Sequence, residues 1–251
     1  VLYVAEEQKQ GSLDGFWETL TEEQLAAIEA VAMDMWDPYI ASVREHLPEA
    51  DRKIVFDKFH VMKHVNAAVD ETRRQEFFRQ KGRLRAVVRG KRWLFLTRWA
   101  NLSRAKRGAL NEAFALNRRL FKAYFLKEDI ERLWTYTYEG AARRFFDDWV
   151  RSIRWQRLPA FKKLAATLER HLEGILSYCH HKIPFGVVEA INAAIAAQPA
   201  TATAQDIEAA VMFAVSQQQQ PAAVSLAALT FVVGSFLLVE THQHKIWEEV
   251  R

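Results

Sequence analysis

The sequence predicts an α/β fold in which a small sheet with parallel neighbours leads into a large, basic, mainly helical region. Three observations carry that reading. Short apolar runs alternate with helical segments over the first sixty residues, helical spacing replaces them from Met62 to Lys182, and the charge of this second region is strongly one-sided.

The elements follow in order. "VLYVAE", residues 1–6, is a β-rich opening, and "SLDGFWETLTEEQLAAI", residues 12–28, carries helical spacing with caps and is read as one helix. "EAVAMDM", residues 29–35, is a short apolar strand with Asp34 at its end. "DPYIASVREHLP", residues 37–48, is a helix that Pro48 stops, and Asp37 before Pro38 is expected to cap it. "RKIVFDKFHV", residues 52–61, returns as a strand ending near Asp57. Strands separated by a helix need a crossover, so these neighbours should run parallel.

From residue 62 to residue 182 apolar residues recur three and four apart in four long segments, 65–80, 107–137, 139–153 and 158–179. The stripe Phe114, Leu120, Phe121 and Phe125 is expected to be core rather than a platform for stacking bases. Between Arg73 and Lys122 there are sixteen Lys and Arg against Glu76 and Glu112, a local net charge of +14 in a chain whose net charge is +4. Such a block marks an anionic partner, and the expected footprint is Arg73, Arg74, Arg83, Arg85, Arg89, Lys91 and Arg92.

Residues 183–251 differ again. Two Lys and Arg face six acids there, and alanine-rich and "QQQQ" sequence appears. Residues 222–239 run eighteen positions without a charge, the lower limit for a membrane-spanning helix, but Ser225, Thr230, Gly234 and Ser235 favour a buried segment. Membrane attachment is therefore disfavoured, although an anchor at 222–239 stands as an alternative. No internal repeat is visible.

With 251 residues, 50% apolar and 12% aromatic, the chain can build a sizeable core, so it is not a disordered tail. The single Cys179 excludes an internal disulfide framework and is read as a core residue in a reducing compartment. The opening residues have neither a basic start nor a long hydrophobic run, so a cytoplasmic site is expected.

Two aspartates, Asp34 and Asp57, end apolar strands, and in open α/β sheets the site lies beyond the carboxyl ends of the strands. Carboxylates converging there suit hard cations such as Mg²⁺, whereas a lone strand-end aspartate is more readily a turn or cap residue. His60 and His64 stand four apart, which on a helix would put two imidazoles on one face for zinc. Neither an intervening H-E-x-x-H glutamate nor a cysteine cluster supports zinc, so His60 is read as a polar residue at a strand-to-helix junction.

"VAMDMWDPYIASVREHLPEA", "IVFDKFHVMKHVNAAVDETRR", "FKAYFLKEDIERLW", "TLERHLEGILSYCHHKI" and "FGVVEAIN", in that order, resemble the DDE-class insertion-sequence transposases of the ISL-three group from about Val1 to Asn192. The resemblance implies a partial ribonuclease H-like catalytic core at 1–61, a helical basic insertion at 62–182, a return to the core at 183–192 and a divergent tail at 193–251. It implies DNA transposition by metal-dependent strand cleavage and transfer with Mg²⁺ or Mn²⁺, DNA as partner, and room for a homo-oligomer. Asp34 matches the second acid of that family and Glu189 the last, so these two are the expected catalytic and metal-binding residues. Asp57, His60 and Asn192 are expected near the site. The first acid has no counterpart, because it precedes the segment resembling residues 1–6, and after Asn192 the sequence departs from the family pattern. The expectation is a truncated, inactive transposase, with a non-catalytic DNA-binding remnant as the alternative.

Overall fold

The structure is a computed structural model that describes residues 9–79 and 81–181, the side chains of residues 83 and 84 excepted, and isolated positions at 197, 199, 206 and 209. The expected opening strand, the Arg83 side chain, Glu189, Asn192 and the 222–239 segment lie outside the described residues. The chain divides into two compact units, whose described parts are essentially residues 9–57 and 58–180.

In the first unit, helix α1 (Gln10–Trp17) and helix α2 (Glu22–Ala27) replace the single helix expected over 12–28. The break has a local cause. Thr21 accepts from the Gln24 N–H and Gln24 answers to the Thr21 N–H, a reciprocal cap that starts a new helix. Strand β1 (Val31–Met33) and strand β2 (Ile54–Phe56) pair in parallel, with Val31 opposite Ile54 and Met33 opposite Phe56. All six strand residues are buried, as expected of parallel strands covered on both faces.

The crossover between them is helix α3 (Asp37–His46) followed by the single turn α4 (Ala50–Lys53). Pro38 sits in the first turn of α3, where its missing N–H costs nothing, and buried Tyr39, Ile40 and Val43 form one face. Leu47 is extended because Pro48 follows it, so α3 ends where the sequence says. Asp37 is not the cap: Trp36 occupies that position without a side-chain bond, and Asp37 supplies only an acid to the first turn. α1 packs on α3 through the Trp17 indole, which donates to Ser42 Oγ at 2.9 Å, while Ser42 donates in turn to Asp14.

The second unit is helical, as expected for 62–182. Its axis is α5 (Lys58–Arg79), whose buried face is Val61, Val65, Ala68, Val69, Thr72 and Glu76. Three short elements follow, α6 (Gly82–Val88), α7 (Arg92–Leu96) and a 3₁₀ turn at Trp99–Asn101. Then come α8 (Arg104–Leu116), α9 (Arg118–Ile130), α10 (Glu139–Arg154), α11 (Pro159–Arg170) and α12 (Leu172–Leu176). α9 and α11 pack along α5, and α10 closes over them with Ala142, Phe146, Trp149, Val150 and Ile153.

Asn117 sets the corner between α8 and α9. Its Oδ1 caps α9 by accepting from the Arg119 and Leu120 N–H groups, while its Nδ2 donates to buried Glu76 at 2.7 Å. Arg119 Nε lies 2.7 Å from the other Glu76 oxygen, so the buried carboxylate is compensated on both sides. Cys179 is half-buried rather than core, with its thiol 3.7 Å from the Tyr136 carbonyl. Phe121 and Phe125, expected in the core, are 47% and 55% exposed.

At the far end, Glu139 meets His180 Nε2 at 2.8 Å and Arg143 at 3.1 Å, and Arg143 also reaches Glu173. The His180 hydrogen bond, then Arg143, holds the Glu139 carboxyl below the usual carboxylate range. A carboxylate depressed in this way contributes stability that is present above its unfolded pKa and lost as pH falls through its folded one. His180→Ala should move the Glu139 titration, followed by carboxyl-carbon NMR, back up toward the ordinary carboxylate range. A titration that stays put would show that this contact does not set the shift.

Among the described residues no helix is long and apolar enough to cross a membrane.

Candidate functional site

Two surfaces can carry chemistry, one in each unit. In the first unit the β1–β2 register pairs Met33 with Phe56, so Asp34 and Asp57 are the next residues on two adjacent parallel strands. The Asp57 N–H donates to the Met33 carbonyl at 3.2 Å, which carries the ladder one step further and fixes the two aspartates side by side in register. Asp57 is 5% exposed and Asp34 half-buried.

Past Asp34 the chain turns tightly, with the Trp36 N–H donating to the Asp34 carbonyl at 2.8 Å, and α3 begins. That turn brings Tyr39 within electrostatic reach of Asp34. Burial first, and then the Asp34 charge, push the Tyr39 phenol up to about 12, so it keeps its proton and can donate at neutral pH. Nothing in the sequence pattern singles out Tyr39, because it reads as one apolar position of an amphipathic helix.

Among the described residues, the group of three whose ligand atoms lie close enough to hold a metal is Asp14, Glu45 and His46. Its atoms already have hydrogen-bond partners: Asp14 accepts from Ser42, Glu45 from Gln10, and His46 Nδ1 donates to the Ser42 carbonyl at 2.9 Å. That arrangement ties α1 to α3. His60 and His64 both fall on α5, with His64 exposed, and neither belongs to such a group among the described residues.

The second surface is the basic one, and the structure sorts its charges. Asp70 collects three of the expected footprint residues: Arg73 Nε at 2.7 Å, Arg92 Nε at 3.4 Å and Arg74 Nε at 3.8 Å. Arg73 is only 12% exposed, so its charge serves the fold. Arg98 pairs with Glu131, Arg107 donates to the Trp99 and Ala100 carbonyls, and Arg119 compensates Glu76. Arg85 and Arg89 on and just after α6 remain exposed, with Arg85 lying over the Phe77 ring at 4.7 Å. Lys91 and Lys106 flank an open cleft between α7 and α8. Lys106 counts in the local charge but was not among the expected footprint residues.

A protein-family model described as a transposase matches residues 1–203. The transposase for insertion sequence element IS1001 of Bordetella parapertussis is 31% identical over 195 residues, covering 76% of this chain and 48% of that protein. The transposase for insertion sequence element IS1557 of Mycobacterium tuberculosis is 25% identical over 218 residues, covering 78% of this chain and 48% of that protein. The chain thus spans about half the length of the curated relatives it matches. No solved structure matches it.

Proposed function

The chain belongs to the ISL-three family of insertion-sequence transposases, and from that premise we propose that it works in DNA transposition by metal-dependent strand cleavage and transfer. The observation that carries this reading is the register that sets Asp34 and Asp57 side by side at the carboxyl ends of two parallel strands. In the proposed organisation, residues 1–61 and 183–192 build a ribonuclease H-like core around these strands. Residues 62–182 are its DNA-contacting insertion.

The donor set fits a hard divalent ion, because both residues offer only carboxylate oxygens, the ligands that Mg²⁺ and Mn²⁺ prefer. Asp34 and Glu189 would hold the ions, with Asp57 beside them. Once bound, such ions polarise a phosphoryl oxygen and lower the pKa of an attacking water or 3′-hydroxyl. The chain's own residues orient the site. The β1–β2 ladder holds the backbones of the two aspartates in register, and the chain turns at Trp36 just after Asp34. Tyr39, protonated, offers a donor near the Asp34 charge.

The test is Mn²⁺ binding by the purified chain, read by water-proton relaxation, alongside nicking of duplex DNA. Asp34→Ala should weaken Mn²⁺ by at least about tenfold, the lower end of what even a supporting residue near a metal costs. Asp14→Ala should leave it unchanged. Equal Mn²⁺ affinity in Asp34→Ala and the parent chain would remove Asp34 from the site. DNA binding without metal-dependent nicking would favour the second reading, a non-catalytic DNA-binding protein, which the exposed basic surface supports by itself.

A further inference from the structure

We propose that the cleft beside Trp93 takes one unpaired nucleobase of the DNA, stacked on the indole and flanked by Lys91 and Lys106. The inference rests on the DNA-binding reading above and adds a base-binding subsite to it. The cleft is about 370 Å³ and lies between α7 and the start of α8. Its lining is mainly apolar and includes Leu94, Leu102 and Ala109, together with Lys91 and Lys106. Trp93 is 71% exposed there, a large aromatic face left in solvent.

An apolar slot edged by cations selects a ligand with a flat, uncharged body and attached anionic groups. A nucleotide has that form: the base supplies the π-face and the phosphates meet the ammonium groups. The volume suits one such unit rather than a stretch of polypeptide. Among the described residues no carboxylate is paired with either lysine, so neither charge is used up inside the fold. Arg92, which is paired with Asp70, lies over the Trp93 ring at 5.4 Å.

The wall is held in place before any ligand arrives. The Thr97 carbonyl, on a residue that lines the cleft, accepts from Tyr124 Oη at 2.8 Å and from buried Lys127 Nζ at 2.9 Å. Arg107 pins the next turn through the Trp99 carbonyl at 3.1 Å. Gly90, at φ +67°, makes the turn that presents Lys91 and α7 to the cleft, a conformation other residues adopt only with strain. A base paired inside a duplex exposes no free face, so the ligand must be extrahelical or at a single-stranded end.

The experiment compares the full chain's affinity for a blunt duplex with that for the same duplex carrying a short single-stranded overhang containing 2-aminopurine. The overhang should bind roughly five- to tenfold tighter, with its fluorescence quenched on stacking. Trp93→Ala should erase both the advantage and the quenching, leave blunt-duplex affinity within about twofold and preserve the thermal transition, while Trp93→Phe keeps most of the advantage. Ala105→Phe, which puts a large ring on another residue lining the cleft, should act like Trp93→Ala. An overhang advantage that survives in both Trp93→Ala and Ala105→Phe overturns the proposal, as does an overhang bound no better than the blunt duplex. In either case salt-dependent duplex binding would leave the DNA-binding reading intact; absence of binding to every DNA would sink both.

Discussion

Lys127→Ala is expected to lower the stability of the helical unit by about 3–5 kcal/mol, the cost of removing one partner from a buried charged group's network. Lys127 is 1% exposed, and its ammonium reaches the Leu96 carbonyl at 3.3 Å, the Thr97 carbonyl at 2.9 Å and the Glu128 carboxylate at 2.8 Å. It also lies over the Tyr124 ring at 4.1 Å. Burial pulls its pKa below the ordinary lysine range, while Glu128 and then Glu131 oppose that shift. Truncation would leave the Leu96 carbonyl without that donor and Glu128 without its cation. Each loss is the kind that costs the full desolvation of the group left behind.

For a chain of this size the change corresponds to a fall in Tm of roughly 10 °C. Lys127→Met, which keeps the packing and removes the charge, separates the two contributions: it should recover part of the loss but not all of it. Denaturant unfolding monitored by tryptophan fluorescence measures both variants. A Lys127→Ala protein within about 1 kcal/mol of the parent would mean that the network contributes little net stability, as buried ion pairs sometimes do.

That same lysine explains why part of the helical unit was hard to read from the sequence. Five of the buried residues of α9, Leu120, Ala123, Tyr124, Lys127 and Ile130, form one stripe at helical spacing, with Leu126 buried beside it. A lysine in the middle of a core stripe disguises the phase. The larger apolar residues Phe121 and Phe125 lie about 125° and 165° round from the middle of that stripe, and reading hydrophobicity alone puts them inside. Partner networks of this kind form between residues far apart in the chain: Asn117 meets Glu76, and Arg92 meets Asp70. No local pattern announces them.

The strands were legible because their signal is local. β1 and β2 are short runs buried on both faces, and Pro38 and Pro48 bracket the crossover helix between them. Parallel pairing followed from the length of that connection. Once the strands are parallel neighbours, the positions of Asp34 and Asp57 follow from register, which is why the sequence reached both acids. It did not reach Tyr39, whose relation to Asp34 depends on a turn at Trp36 rather than on any spacing rule. The break between α1 and α2 was readable in principle, since "TEEQ" carries the reciprocal cap, but the apolar spacing on either side ran through it.

Replacing Arg85, Arg89, Lys91 and Lys106 together by glutamine is expected to flatten the salt dependence of DNA binding far more than replacing Arg73, Arg74 and Arg92. Each cation that neutralises a phosphate contributes about 0.9 to the slope of log affinity against log salt, so four contacts are worth up to roughly 3.6. Over a fourfold rise in salt, that difference amounts to about a hundredfold in affinity. The second set has equal formal charge per residue but a different task. Asp70 is 8% exposed and draws all three arginines toward itself, with Arg73 almost enclosed. Part of their charge is spent on that carboxylate, and Arg73, held inside the fold, cannot approach a phosphate. Removing them should instead leave Asp70 buried without its partners, a stability loss with only a small change in slope. Fluorescence anisotropy across a salt series on one duplex, with thermal unfolding of the same samples, measures both quantities. If the Asp70 set produces the larger drop in slope, the DNA footprint lies on the α5 side of this surface, and Lys91 and Lys106 do not meet phosphate.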